Sequence, residues 1–100
     1  MQITWITARD LSSDLAATTE ISLCRKMTSL GAKITLISPG KIDHEPFEHI
    51  EVKRLRLPGL NTISGARDIR KRILSDSGLV DNADSVLIDW RYVKQLEAEL

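Results

Sequence analysis

The sequence predicts a three-layer α/β fold on a parallel sheet of about four strands, in the order 3-2-1-4. Three observations carry this reading. Four short runs rich in β-branched and aliphatic residues begin at Ile3, Lys33, Ile50 and Ser85. Between them lie polar turns and segments whose apolar residues recur at three- and four-residue steps. The first strand, first helix and second strand are complete by Ser38, a length that fits one βαβ unit. Such crossovers are right-handed almost without exception, which puts the first helix on one face of the sheet and the second helix on the other.

The first strand is Ile3 to Ala8, ITWITA, bounded by the polar run RDLSSD. A helix over Asp14 to Leu30 follows, with Ala17, Ile21, Cys24, Met27 and Leu30 on one stripe and Leu23 widening it. Ser12, Ser13 and Asp14 are all capable N-caps. Gly31 ends the helix as a C′ residue, because it takes positive φ without a Cβ clash. Lys33 to Ser38 is the second strand, closed by Pro39-Gly40. A polar loop over 39–49 leads to the third strand, Ile50 to Leu57, whose charges suit a sheet edge. Pro58-Gly59 closes it.

The second helix is expected over Ser64 to Ser75, with Ala66, Ile69 and Ile73 inward and Arg67, Arg70 and Lys71 outward; Ser77-Gly78 breaks it. Ser85 to Ile88 is a short fourth strand, apolar enough to be covered on both faces. Asp89 caps a last helix, Trp90 to Leu100, with Val93, Leu96 and Leu100 inward.

One hundred residues make one domain, 1–100, with a single core. Fourteen basic and fourteen acidic residues cancel, so a broad basic surface for nucleic acid is not expected. The charge is nevertheless uneven. Seven cations fall between Lys53 and Arg72, opposed only by Asp68, which offers a local surface to an anionic lipid, a phosphate or an acidic partner. Cys24 is the one cysteine, so no internal disulfide or thiolate cluster can form; a reducing, cytoplasmic compartment and a buried core position are expected. His44 and His49 flank EPFE, but neither HExxH nor a two-His-one-carboxylate helix spacing is present, and no metal site is expected. No run approaches 18 apolar residues, and the N-terminus reads as a strand rather than a leader.

In parallel sheets ligands sit at the carboxyl ends of the strands, near the point where strand order reverses. That rule selects the loop after the first strand and the residues after the fourth. It gathers Arg9, Asp10, Ser12, Ser13 and Arg91 as ligand-binding candidates and Asp89 as the catalytic candidate. Ser12 and Ser13 sit where a helix N-terminus can hold a phosphate or a sugar hydroxyl, or simply cap the helix. A carboxylate at Asp89 can orient a hydroxyl or act as a base, or cap the last helix. The loop has no glycine, so neither GxGxxG nor GxxxxGK[ST] is present.

Residues 16 to 38, AATTEISLCRKMTSLGAKITLIS, resemble the first helix and second strand of retaining, family 4-like glycosyltransferases of the two-Rossmann-domain (GT-B) architecture. Glu20 matches the glutamate near that family's glycine pair. Met27 to Leu36 matches the helix end and second strand, Ile50 to Leu57 the third strand, and Asn82 to Asp89 the fourth. The family's Gly-Gly is Ala16-Ala17 here, and Asp89 lies close to where the family carries a histidine. The resemblance implies a Rossmann-like domain, the first part of an acceptor-binding half. The nucleotide-sugar donor would be held by a C-terminal domain absent from these residues, so the chain alone would be inactive and needs no cofactor of its own. The implied partners are that missing domain and a sugar acceptor, and the cationic stretch from Lys53 to Arg72 fits a lipid-linked or anionic acceptor at the cytoplasmic membrane surface. The rival expectation is a non-enzymatic α/β interaction module that completes its sheet with a partner, or by self-association through the fourth strand.

Overall fold

A computed structural model describes residues 1–11, 18–54 and 60–97. Its four strands are β1 (Gln2–Ile6), β2 (Lys33–Pro39), β3 (Glu48–Val52) and β4 (Ser85–Ile88). Its helices are α1 (Thr18–Ser29), α2 (Asn61–Ser75), α3 (Gly78–Asp81) and α4 (Trp90–Leu96). The sheet is wholly parallel with the order β3-β2-β1-β4, as the sequence predicts. Ile3 pairs with Ile34 on one side and Ser85 on the other, and Leu36 pairs with His49.

Alternation along the strands divides the core in two. On one face Ile3, Ile34 and Leu36 pack with Cys24 of α1 and with Phe47 and Ile42 of the loop between β2 and β3. On the other, Ile6, Ile37 and Val52 pack with Ala66, Ile69 and Ile73 of α2 and with Tyr92 and Leu96 of α4. Helices therefore cover both faces, and α1 and α2 lie on opposite ones.

α1 ends in a Schellman motif. The Gly31 amide donates to the Thr28 carbonyl and the Ala32 amide to the Met27 carbonyl, while Gly31 takes φ +98°. That stop leaves Leu30, expected inward, three-quarters exposed; Leu23, expected to widen the stripe, is also exposed. The expected start of this helix at Asp14 lies outside the described residues.

β3 begins two residues earlier than the expected Ile50 and leaves the ladder after Val52. The Lys53 amide donates instead to a carboxylate oxygen of Asp68 on α2, 2.8 Å away. The expected continuation over 55–57 and the Pro58-Gly59 turn lie outside the described residues. α2 starts at Asn61 rather than Ser64, with the Ser64 amide already bonded to the Leu60 carbonyl. Gly78 opens α3 instead of merely breaking a helix; its amide is held by Asp76 Oδ1.

β4 has the expected bounds but is covered on one face only. Val86 and Ile88 pack on the α2–α4 core, whereas Ser85 and Leu87 are exposed on the α1 face. Among the described residues α1 packs chiefly over β2. In α4 the inward residues are Tyr92 and Leu96; Val93, expected inward, is exposed because the helix turns its 92–96 stripe toward Gly65 and Ile69 of α2. Leu100 lies outside the described residues.

Candidate functional site

The carboxyl ends of β1 and β4 lie side by side, so the loops after them meet. Asp89 joins them. Its amide continues the ladder to the Ile6 carbonyl, 2.9 Å away. Its Oδ1 accepts from the Arg91 amide at 2.9 Å and so caps α4. Its Oδ2 accepts from the Ala8 amide at 3.2 Å and so fixes the loop after β1. The Arg91 guanidinium stands 3.7 Å from the same carboxylate. Asp89 is thus a cap and a clamp, and its two oxygens are turned to backbone donors.

Arg9 and Asp10 extend from the loop that Asp89 holds. Arg9 Nε lies 3.8 Å from Glu20 Oε1 on α1, while Glu20 Oε2 is buried without a hydrogen-bond partner among the described residues. Arg54, arriving from β3, donates to the Ala8 carbonyl at 3.4 Å. The loop after β1 is therefore held by residues from β4, α1 and the end of β3. Ser12 and Ser13 lie outside the described residues.

Beside this loop is a cleft of about 220 Å³ lined by Asp10, Pro39, Gly40, Glu51, Lys53 and Arg54. It spans the carboxyl ends of β1, β2 and β3. Asp10 is the sequence-selected residue that lines it. Asp89 and Arg91 lie on the β1–β4 side, where the switch-point rule places them. Glu51, Lys53 and Arg54 were not selected by that rule, because it points between β1 and β4 while the cleft opens across β1 to β3. The signal for Lys53 and Arg54 is the cationic stretch opening at Lys53, and none marks Glu51. Its two cations and two carboxylates offer partners to an anionic group and to hydroxyls.

Tyr92 sits beneath the site, fully buried between α4 and α2, with its hydroxyl unpartnered among the described residues. Burial pushes its phenol above the usual range; Arg54 and Arg91 nearby oppose that and Asp89 adds to it.

The loop between β2 and β3 has a separate structural task. Arg25 of α1 grips Glu45 through two hydrogen bonds, at 2.7 and 2.5 Å. His49 Nε2 is 2.7 Å from Ser38 Oγ, and Ser38 is fully buried. The histidine and glutamate near EPFE are thus engaged with an arginine and a serine, and no group of three metal-binding side chains is found among the described residues. No helix among those residues is long and apolar enough to cross a membrane. Comparison with protein-family models, curated proteins and solved structures finds no match to this chain.

Proposed function

We propose that this chain is the acceptor-binding portion of a nucleotide-sugar-dependent glycosyltransferase of the GT-B type. The observation that carries the reading is the cleft at the carboxyl ends of a 3-2-1-4 parallel sheet, where Asp10, Glu51, Lys53 and Arg54 line one opening. The carboxylates suit sugar hydroxyls, and the cations suit the phosphate of a lipid-linked or otherwise anionic acceptor at a membrane surface. The intact enzyme transfers a hexose with retention of configuration, with the donor held by a second domain. In this reading Asp89 fixes the loop carrying Arg9 and Asp10, and its carboxylate faces the acceptor only beyond those backbone bonds.

Titration of ¹⁵N-labelled protein tests this. A short-chain prenyl diphosphate sugar or a hexose phosphate should shift the amides of Asp10, Gly40, Lys53 and Arg54, and Arg54→Ala should weaken that binding. A nucleotide sugar should leave those amides unmoved. Shifts caused by the nucleotide sugar alone, or by none of these ligands at 10 mM (about −2.7 kcal/mol at most), would overturn the proposal.

A second reading is favoured by β4. Its outer side meets no strand among the described residues, it bears no charge, and Leu87 is exposed. An uncharged strand edge invites pairing. In an antiparallel two-fold pair, Leu87 would face its mate and Val86 would face Ile88, each on its own side of the sheet. A module working this way would dimerise, and Leu87→Lys would abolish the dimer. A monomer at about 0.5 mM, by sedimentation, rejects it.

A further inference from the structure

α2 carries two stripes. The inward one is Ala66, Ile69 and Ile73, packed on the sheet. The outward one is Ile63, Arg67, Lys71 and Leu74, begun by the N-cap residue Leu60, with spacings of three, four, four and three residues. At 3.6 residues per turn these five fall within an arc of about 80° and run for about 21 Å along the helix. Leu60, Ile63 and Leu74 are 44%, 57% and 72% exposed. Arg67 and Lys71 are exposed between them and meet no carboxylate among the described residues. Asp68, the acid nearest in sequence, is half-buried and held by Arg72 and by the Lys53 amide. The outer face of a helix in a globular domain is normally polar. Here the large side chains along it are either aliphatic or cationic.

We propose that this outer stripe of α2 is a docking surface for an anionic lipid bilayer. The helix lies in the plane of the interface, with Leu60, Ile63 and Leu74 entering the acyl boundary and Arg67 and Lys71 meeting headgroup phosphates. Charge complementarity favours this occupant. Among the described residues the stripe presents positive charge without a counter-charge, and its aliphatic residues flank the cations along one line of the helix. The inference deepens the reading of a lipid-linked acceptor, since a docked α2 would hold the cleft near the membrane surface. Its test uses no acceptor, so the two can fail separately.

Co-sedimentation with vesicles of phosphatidylcholine alone and of phosphatidylcholine with 30% phosphatidylglycerol decides it. Binding should require the anionic lipid and weaken with salt. Arg67→Gln with Lys71→Gln should lower partitioning by roughly thirtyfold, and Ile63→Ser with Leu74→Ser should lower it at least as far. Leu23→Ser with Leu30→Ser, on the exposed side of α1, should leave it unchanged. All these positions are exposed, and circular dichroism should report an unchanged fold. As a second measurement, an environment-sensitive dye on Leu74→Cys should shift to the blue on anionic vesicles, while the same dye on Leu30→Cys should not. Equal binding to pure phosphatidylcholine, no binding to either vesicle, indifference to the α2 substitutions, or retention only by an acidic protein would each overturn the proposal.

Discussion

A methyl group placed on Gly65 would lie 2.7 Å from the Tyr92 hydroxyl oxygen. α4 approaches α2 closely because that glycine has no side chain, and Tyr92 fills the space so made. The ring atoms Cζ and Cε1 would be 3.5 and 3.6 Å from the same methyl, which is ordinary contact. The conflict is therefore with the hydroxyl alone, and that hydroxyl has no hydrogen-bond partner among the described residues.

The pair yields a double-mutant prediction. Gly65→Ala adds helix propensity of about 1 kcal/mol but overpacks a buried site at a cost of about 1–3 kcal/mol. The net effect should be destabilising by about 1 kcal/mol. Tyr92→Phe removes an unpartnered buried hydroxyl and should stabilise by about 1 kcal/mol. In that background Gly65→Ala should become stabilising. Urea unfolding of the four proteins measures the coupling, expected near 2 kcal/mol; a stabilising Gly65→Ala in the parent chain would show that the helices simply move apart.

Asp89→Asn makes a second test. As a cap alone, asparagine is about as good as aspartate, so a capping role by itself predicts little change. Both oxygens of Asp89 accept from backbone amides, however, one from Arg91 and one from Ala8. An asparagine has one carbonyl oxygen and must turn an NH₂ group toward the other donor. Thermal unfolding should show a loss of about 1–3 kcal/mol. If stability is unchanged, the bond to the Ala8 amide does not hold the loop.

The sheet was readable from residue order because its rules are local and chiral. Ile3, Lys33 and Ser85 open runs of the right composition, and right-handed crossovers then leave few strand orders. Gly31 likewise announced the end of α1 by its freedom at positive φ. What could not be read depends on where one element stops against another. Leu30 looks like a core residue on a helical wheel, yet the Schellman turn carries it outward. Val93 gives way to Tyr92 because Gly65 opens a place for an aromatic ring. Lys53 quits the third strand because a side chain of α2 claims its amide. The candidate site was read in part for the same reason: the switch-point rule locates Asp10, Asp89 and Arg91, but the cleft beside Asp10 is shaped by Glu51 and Arg54 at the end of β3.

Cys24 should be inert in the folded protein. It is fully buried, and burial pushes its thiol up to about 11, with the Glu20 and Glu45 carboxylates adding to the rise. At pH 8 roughly a thousandth of it would be thiolate, and that fraction has no access to reagent. Reaction with an aromatic disulfide should be slower by at least a hundredfold in buffer than in urea. Stoichiometric labelling within minutes under native conditions would mean that α1 opens readily from the sheet.

His49 sets an acid limit on stability. Burial lowers its basicity below the ordinary value near 6.5, outweighing the opposing pull of Glu51, Asp43 and the Ser38 bond. A histidine whose proton affinity is lower in the folded state stabilises the fold fully above the unfolded value. As pH falls below about 6.5, the unfolded chain takes up the proton first and stability is lost until the folded histidine titrates as well. The charged ring would also sit against Ser38, a buried hydroxyl 2.7 Å away, at the point where β3 joins β2. Unfolding free energy should therefore decline between pH 6.5 and 5 more steeply than in His49→Gln, whose side chain can still bond Ser38 without titrating. Parallel profiles for the two proteins across that window would assign the acid sensitivity to the carboxylates instead.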